Sequence, residues 1–233
     1  MKNIFREEIE NMILKDDLQG LLKKSGELHG HFCNYLSYGI IAGVYALKKL
    51  GISHTGMEEL IAITETNNCF SDGIQMVTGC SFGNNALIYR DYGKTAATIS
   101  KRDGKAIRLV LNPSFEDSRE EVYPEAYGLF NKLVVQREVG DPEEYKKMMK
   151  LFSEMSIKEL AVPADEMFII KELNIDVPEF APIFDSVKCS ICGENVMKTR
   201  IIDDKEQKLC IPCEKAKYFE LNGSGILLKD KYF

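Results

Sequence analysis

The chain has 233 residues, of which 45% are hydrophobic and 28% are charged, a composition typical of a soluble globular protein. Its 36 acidic and 30 basic residues give a net charge of −6, which disfavours nonspecific binding to nucleic acid or to an acidic membrane. The sequence contains no run of about 18 uncharged apolar residues, and its N-terminal MKNIFREEIENMILKDD is too acidic for a secretory signal. We therefore expect a cytoplasmic protein that does not span a membrane.

Two helices are predicted at the start of the chain, over residues 4–25 and 32–50, because apolar residues recur there every three or four positions. Gly51 is placed to end the second helix. Gly39 and Gly43 lie one turn apart inside it. Because glycine destabilises a helix interior, this pair predicts the close approach of another backbone.

A buried strand is predicted over residues 59–66 (ELIAITET), and Asp72 is placed to cap a short helix that runs to Thr78. Three strand-like segments follow, ALIYR, TAATISK and AIRLVL, separated by glycine-containing turns that suit hairpins. They predict an antiparallel meander. The fold class expected is therefore α+β, with helices packed on one face of a mixed or antiparallel sheet.

The rest of the chain divides into three parts. Residues 117–156 predict a helix in two pieces, and residues 168–176 predict a returning strand. Pro178 and Pro182 then indicate an extended linker. We predict a core domain over residues 1–177, a linker over 178–187 and a small domain over 188–233.

The strongest single motif is a pair of Cys-x-x-Cys sequences near the end of the chain, CSIC and CIPC, separated by 17 residues. The four thiols are those of Cys189, Cys192, Cys210 and Cys213. At this spacing they can close tetrahedrally on a structural zinc ion, with a hairpin between the pairs. EKAKYFEL is predicted to continue as a helix after the second pair, so we expect a treble-clef or zinc-ribbon domain.

A second group of potential ligands lies near the start, in HGHFC. His29 and Cys33 are four residues apart, which places them on one face of a helix, and His31 lies between them. Imidazole and thiolate groups suit zinc, nickel, copper or iron. Alone, this pattern is weak, because buried histidine and cysteine residues are common.

The segment TNNCFSDGIQMVTGCSFGNN adds Cys69, Asp72 and Cys80 to the candidate ligands. Seven cysteines in a chain without an export signal favour metal binding or redox chemistry over a disulfide framework. Gly83 and Asn84 follow in a loop whose backbone donors are candidates for binding a ligand. The residues indicate no specific catalytic group.

These segments together resemble a known family. HGHFC, then CFSDGIQMVTGCSFGNNAL, then the strand AIRLVL and the four-cysteine finger are similar to FmdE, the E subunit of formylmethanofuran dehydrogenase, and its stand-alone relatives. The similarity covers nearly the entire chain. One departure is Asn34-Tyr35, where the family often has Pro-Gly, which affects the shape of the helix entrance beside Cys33.

The resemblance implies an α+β core that binds a metal ion beside a cleft, a treble-clef zinc domain and a homodimer. It assigns His29, His31 and Cys33 to the first metal-binding block, and Cys69, Asp72 and Cys80 to the second. In the dehydrogenase, other subunits carry the molybdenum or tungsten pterin centre. This sequence has neither a pterin-binding domain nor a ferredoxin-type cysteine run, so we expect an accessory protein that docks on such an oxidoreductase or works alone.

Three functions from different classes follow. The first is binding of a second divalent metal ion, with zinc, nickel or iron as candidates, at an incompletely coordinated core site. The second is thiol redox chemistry, in which Cys33 pairs with Cys69 or Cys80. The third is nucleic-acid binding by the finger, for which the nine basic and seven acidic residues from Ser186 onward give little support.

Overall fold

The computed structural model describes residues 3–52, 58–204 and 207–230. The chain folds as two compact units, residues 1–177 and residues 178–233. The α-helices of the first unit are α1 Glu7–Leu14, α2 Leu18–His29, α3 Asn34–Leu50, α4 Cys69–Thr78, α5 Pro113–Val122, α6 Pro124–Phe130, α7 Pro142–Glu159 and α8 Ala164–Met167. Its strands are β1 Leu60–Thr64, β2 Leu87–Tyr89, β3 Ala96–Lys101, β4 Lys105–Leu111 and β5 Phe168–Asn174.

The first unit is built on one five-stranded sheet of order β2-β1-β3-β4-β5. Strands β3, β4 and β5 are antiparallel neighbours, and β1 pairs antiparallel with β3. The predicted meander is wrong at its first strand, because β2 does not pair with β3 but runs parallel to β1 at the sheet edge. A parallel pair needs a long crossover connection, and α4 supplies it.

Helices cover one face of this sheet, as the fold class expected. Alternate residues of β1 and β3, such as Leu60, Ala62 and Ile99, join the main hydrophobic cluster with the buried stripe of α3. Successive strand residues point to opposite faces, so these alternate positions form the face on which the helices pack. The α+β architecture with a mixed sheet is therefore confirmed.

Helices α3 and α4 pack unusually closely near their first turns. A Cβ atom added to Gly39 would lie 2.1 Å from the carbonyl oxygen of Phe70, and one added to Gly73 would lie 2.5 Å from that of Leu36. Only glycine at both positions allows this approach. The expected backbone contact is thus present at Gly39, whereas Gly43 faces the side chain of Val77.

Several predicted helix boundaries were wrong for identifiable reasons. The helix predicted over residues 4–25 is broken at Asp16, whose φ is 57°, and Asp17 caps α2 by accepting a hydrogen bond from the Gly20 amide. Residues 117–156 form more than two pieces, because Pro124 and Pro142 each begin a new helix. A π-helical turn, Asn131–Val135, extends α6.

The start of α4 also differs from the prediction. Its N-cap is Asn68, whose side chain accepts a hydrogen bond from the Phe70 amide at 3.0 Å, and not Asp72. Asp72 instead lies within the first turn, together with Cys69. This places both side chains on one face of α4, since they are three residues apart.

The second unit consists of short antiparallel hairpins and one helical turn. Its elements are β6 Ser186–Lys188, β7 Asn195–Met197, β8 Ile201–Asp204, β9 Gln207–Cys210, α9 Ile211–Glu214, β10 Tyr218–Asn222 and β11 Gly225–Lys229. β6 begins within the segment expected to be a linker. The predicted helix EKAKYFEL is wrong, because α9 ends at Lys215 with a φ of 56° and Tyr218–Asn222 is a strand. The hairpins and the cysteine cluster correspond to a zinc ribbon.

Among the described residues, none of the helices combines the length and the apolar character needed to cross a membrane.

Candidate metal sites

The core site is assembled where the ends of three helices meet. His29 is the last residue of α2, Cys33 is the N-cap residue of α3, and Cys69 is the first residue of α4. His31 lies in the short connection between α2 and α3, just after Gly30, which ends α2 with a φ of 89°. One ligand atom from each of these four residues lies within 4.8 Å of the others. The structure therefore brings together two imidazoles and two thiols.

The two thiols differ in their ionisation. Contact with Cys69 and burial raise the pKa of Cys33 well above its ordinary value, while the backbone amides of Leu36 and Tyr35 act in the opposite direction. Contact with Cys33 and the charge of His29 lower the pKa of Cys69 to about 6, although burial opposes this shift. The pair therefore favours one thiolate and one thiol at neutral pH.

The two imidazoles lie side by side, with ring centroids 4.4 Å apart. His31 is partly exposed to solvent, and partial burial together with the neighbouring His29 lowers its pKa. The neutral ring that this favours is the form that binds a metal ion.

Asp72 does not belong to the group of mutually close ligand atoms. Its Oδ2 lies 2.7 Å from Nδ1 of His29, and its Oδ1 accepts a hydrogen bond of 3.0 Å from Nε2 of Gln75. The other ring nitrogen of His29, Nε2, is buried and has no hydrogen-bond partner among the described residues.

Cys80 is not brought to the cluster either. Its thiol contacts the carbonyl oxygen of Leu60 at 3.7 Å, and burial raises its pKa to about 11. Cys69 begins the ten-residue helix α4, and Cys80 lies just beyond its end. Because such a helix is about 15 Å long, the two sulfurs are held at opposite ends of α4.

The loop after Cys80 is held together by Asn84. Its Oδ1 accepts hydrogen bonds from the amides of Ser81 and Ala86, and its Nδ2 donates to the carbonyl oxygen of Gly79 at 2.7 Å. A Cβ atom added to Gly83 would meet no atom within 4 Å, so this residue faces open space. The side chain of Asn84 thus builds the turn, and the suggested ligand role of Gly83 and Asn84 stays a prediction.

A buried polar network beside Cys33 was missed at the level of sequence. The Glu159 side chain is 1% exposed and accepts hydrogen bonds from Tyr38 Oη at 2.5 Å and from Arg119 Nη1 at 2.9 Å. Asn34, next to Cys33, donates to the hydroxyls of Tyr38 and Tyr127. A signal was present, because Glu159 continues the buried stripe of α7 seven residues after Phe152, where a solvated carboxylate would not be expected.

The finger site brings together all four predicted cysteines. One sulfur from each of Cys189, Cys192, Cys210 and Cys213 lies within 4.8 Å of the others. The amides of Cys210 and Cys213 each donate a hydrogen bond of 3.4 Å to a neighbouring cysteine sulfur. Backbone amides of Cys192 and Cys210 lower the pKa of Cys189 to about 6. This geometry stabilises thiolate, the form that binds zinc.

Comparisons with known proteins agree with the resemblance. A probable S-adenosyl-L-methionine-binding protein from Archaeoglobus fulgidus is 39% identical over 218 residues, which cover 91% of this chain and 57% of that relative. The chain thus spans little more than half the length of this relative.

A crystal structure of an FmdE-like protein of tungsten formylmethanofuran dehydrogenase, from Syntrophus aciditrophicus, has the same fold. Its TM-score is 0.53 at 21% sequence identity, and the match covers 84% of this chain and 91% of that one. The family model described as "FmdE, Molybdenum formylmethanofuran dehydrogenase operon" matches residues 28–169, which include every candidate ligand of the core site. This chain therefore belongs to the FmdE family.

Proposed function

We propose that this protein binds one divalent transition-metal ion in its core through His29, His31, Cys33 and Cys69, and one structural zinc ion in its finger. The observation that carries the core site is the convergence of four ligand atoms, all within 4.8 Å of one another, from three helix ends and a connection. Nothing in the local sequence requires Cys69 to meet HGHFC, so this convergence is a property of the fold.

The ligand set narrows the choice of metal. Two imidazole nitrogens and two thiolates in a tetrahedral arrangement suit zinc, whereas nickel and iron also accept such ligands and can take more of them. A tetrahedral ion would be saturated by these four groups. The incompletely coordinated site expected above therefore requires an ion with a higher coordination number or the release of one protein ligand, and His31 is the partly exposed member of the set.

The finger has a structural role in this proposal. Four thiolates leave a zinc ion no open position, and the buried cluster of residues 178–233 consists of Cys189, Cys210 and Leu209, with Val196 and Cys213 packed against it. A core of this size does not hold a fold without the metal.

We further propose an accessory role rather than an oxidoreductase activity of its own. Membership of the family supports this role, since the family model is named after the molybdenum enzyme's operon. Affinity purification of the native protein, followed by identification of co-purified molybdenum or tungsten subunits, tests it. A homodimer that purifies alone would instead support the stand-alone form.

Metal analysis tests the core site directly. Wild-type protein is expected to contain two ions per chain, and Cys69→Ala is expected to lose one of them while the finger ion stays. Cys80→Ala is the matched control, because it removes an upstream cysteine that lies outside the cluster. One ion in the wild type, or equal metal content in wild type and Cys69→Ala, would overturn the proposal.

Thiol redox chemistry makes a different prediction for the same cluster. The close pair is Cys33 and Cys69, so a reversible disulfide would join these two residues and exclude Cys80. Differential alkylation and mass spectrometry of protein purified without reductant distinguishes the two functions. Metal binding predicts that both thiols become reactive only after a chelator is added, whereas redox chemistry predicts that they become reactive only after reduction.

Binding of S-adenosylmethionine is a second candidate function, favoured by the 39% identity to the relative that carries this description. This chain matches 57% of that relative, so the binding residues must lie in the shared part if the activity is common to both. Equilibrium dialysis with labelled S-adenosylmethionine tests the candidate, with S-adenosylhomocysteine as competitor. Absence of saturable binding would remove it and leave the metal sites unaffected.

A further inference from the structure

We propose that Asp72 is not a metal ligand but the positioning residue of the core site, which holds the His29 ring so that Nε2 faces Cys33, Cys69 and His31. This inference rests on the proposed metal-binding function and assigns a role within it. It also replaces the role in the ligand set that the family resemblance implied for Asp72.

Both oxygens of the Asp72 carboxylate already have partners. Oδ2 lies 2.7 Å from Nδ1 of His29, and Oδ1 accepts a hydrogen bond of 3.0 Å from Nε2 of Gln75. A carboxylate that turned to a metal ion would give up these contacts and leave Nδ1 of His29 without its acceptor. The group of mutually close ligand atoms is complete without Asp72.

The hydrogen bond also fixes the tautomer of His29. An ionised carboxylate only accepts hydrogen bonds, so Nδ1 carries the proton and Nε2 keeps its lone pair. Nε2 is buried and has no hydrogen-bond partner among the described residues. A buried acceptor without a donor is costly, and a cation at the cluster satisfies it. The arrangement of carboxylate, histidine and metal is a general means of orienting a histidine ligand.

The placement of Asp72 follows from the way α4 begins. With Asn68 as N-cap, Cys69 and Asp72 are three residues apart and lie on one face, which points toward the end of α2. One turn of α4 therefore supplies a thiol to the cluster and a carboxylate to a second ligand of the same cluster. Gln75, a further three residues along, holds the carboxylate from the other side.

The state of the His29 ring tests this inference. Long-range proton–nitrogen NMR of histidine-labelled wild type is expected to show a protonated Nδ1 and, with zinc bound, a metal-coordinated Nε2. The protonated Nδ1 is expected in metal-free protein as well. A metal-bound Nδ1, or a protonated Nε2 in the metal-free form, would overturn the inference.

Substitution of Asp72 gives a second, independent measurement. Asp72→Ala is expected to bind zinc about 10- to 100-fold more weakly, yet at saturating cobalt to keep the sulfur-to-cobalt absorption bands of wild type. Asp72→Asn preserves shape and an acceptor, so its affinity should lie between the two. Asp165→Ala, which removes an exposed aspartate from the first turn of α8, is the matched control and should bind as wild type does.

The outcomes separate the two proposals. An unchanged zinc affinity in Asp72→Ala, or a cobalt spectrum that reports a changed set of ligands, contradicts the positioning role while metal binding stands. A wild-type core that takes up no zinc or cobalt contradicts the proposed function. In that case the tautomer of His29 in the metal-free protein still decides whether Asp72 orients the ring.

Discussion

The two cysteine-containing clusters of this protein are built in opposite ways. In the finger, each pair of ligands comes from one Cys-x-x-Cys segment, so local sequence brings the members of a pair together. In the core, Cys69 reaches HGHFC only because α3 and α4 pack at Gly39 and Gly73. The finger ligands therefore precede their fold, whereas the core ligands are a product of theirs.

This difference predicts different consequences of metal loss. The core unit has a large hydrophobic cluster, drawn from all its layers, that does not involve a metal ion. The finger has a small one, in which the cysteines themselves are the main members. Removal of metal should thus unfold the finger and leave the core folded around an empty ligand set.

The largest expected effect is the collapse of the finger. Cys189→Ser removes a buried ligand, and structural zinc contributes about 10–16 kcal/mol of apparent binding free energy in small zinc domains. Residues 178–233 should lose protection in hydrogen exchange, while residues 1–177 should keep theirs. Chelation of wild-type protein should give the same pattern, and Cys80→Ala should not. Loss of protection in β1 or β3 after chelation would contradict the comparison.

The next largest effect concerns the polar network that supports α3. Glu159→Ala leaves Tyr38 and Arg119 without their buried acceptor, and breaking a buried ion pair costs about 3–5 kcal/mol. Urea unfolding of the core is the measurement, and the finger should be unchanged. Glu154→Ala on the exposed side of α7 is the control and should shift stability by less than about 0.5 kcal/mol.

Much of the core site was predictable, and the errors have a common origin. The sequence offered Asn68 and Asp72 as alternative caps for α4, and choosing Asp72 placed Cys69 in a loop. Beginning the helix after Asn68 would have put Cys69 and Asp72 on one face and Cys80 at the far end. One boundary thus decides which of these residues can share a site, and helix boundaries are the least determined feature of a local pattern.

Other features depend on contacts that a local pattern does not contain. The order of β2 and β3 is decided by pairing with β1, although a helix between two strands already favoured a parallel crossover. EKAKYFEL has residues typical of helices, but alternate residues of its second half pair with β11. Glycine pairs and Cys-x-x-Cys motifs were reliable because each has a steric or chemical requirement that few other residues meet.

A smaller effect is expected where the fold sets the core site. Gly39→Ala places a Cβ atom 2.1 Å from the Phe70 carbonyl oxygen, so α4 must move. Overpacking of this kind costs about 1–3 kcal/mol, and because Phe70 follows Cys69, metal affinity at the core should fall as well. Gly128→Ala in α6 meets no atom within 4 Å and serves as the control. A destabilised Gly39→Ala with unchanged core metal affinity would separate the packing from the site.

The smallest effect distinguishes the two sites by the protons that they release. At the core, the pKa of Cys69 is lowered to about 6 while that of Cys33 is raised, so near neutral pH a metal ion displaces chiefly the Cys33 proton. Core affinity should then rise about tenfold, or about 1.4 kcal/mol, per pH unit above the pKa of Cys69, because the competing proton is lost as pH rises.

The finger should release more protons, because the pKa of Cys192 is raised and that of Cys213 is raised to about 12. Calorimetry in buffers of different ionisation enthalpy counts the protons at each site. Cys69→Ala isolates the finger, and a double substitution of Cys192 and Cys213 by alanine isolates the core. Equal proton release at both sites would show that the contact between Cys33 and Cys69 does not divide their ionisation, and the core thiols would then bind metal as independent ligands do.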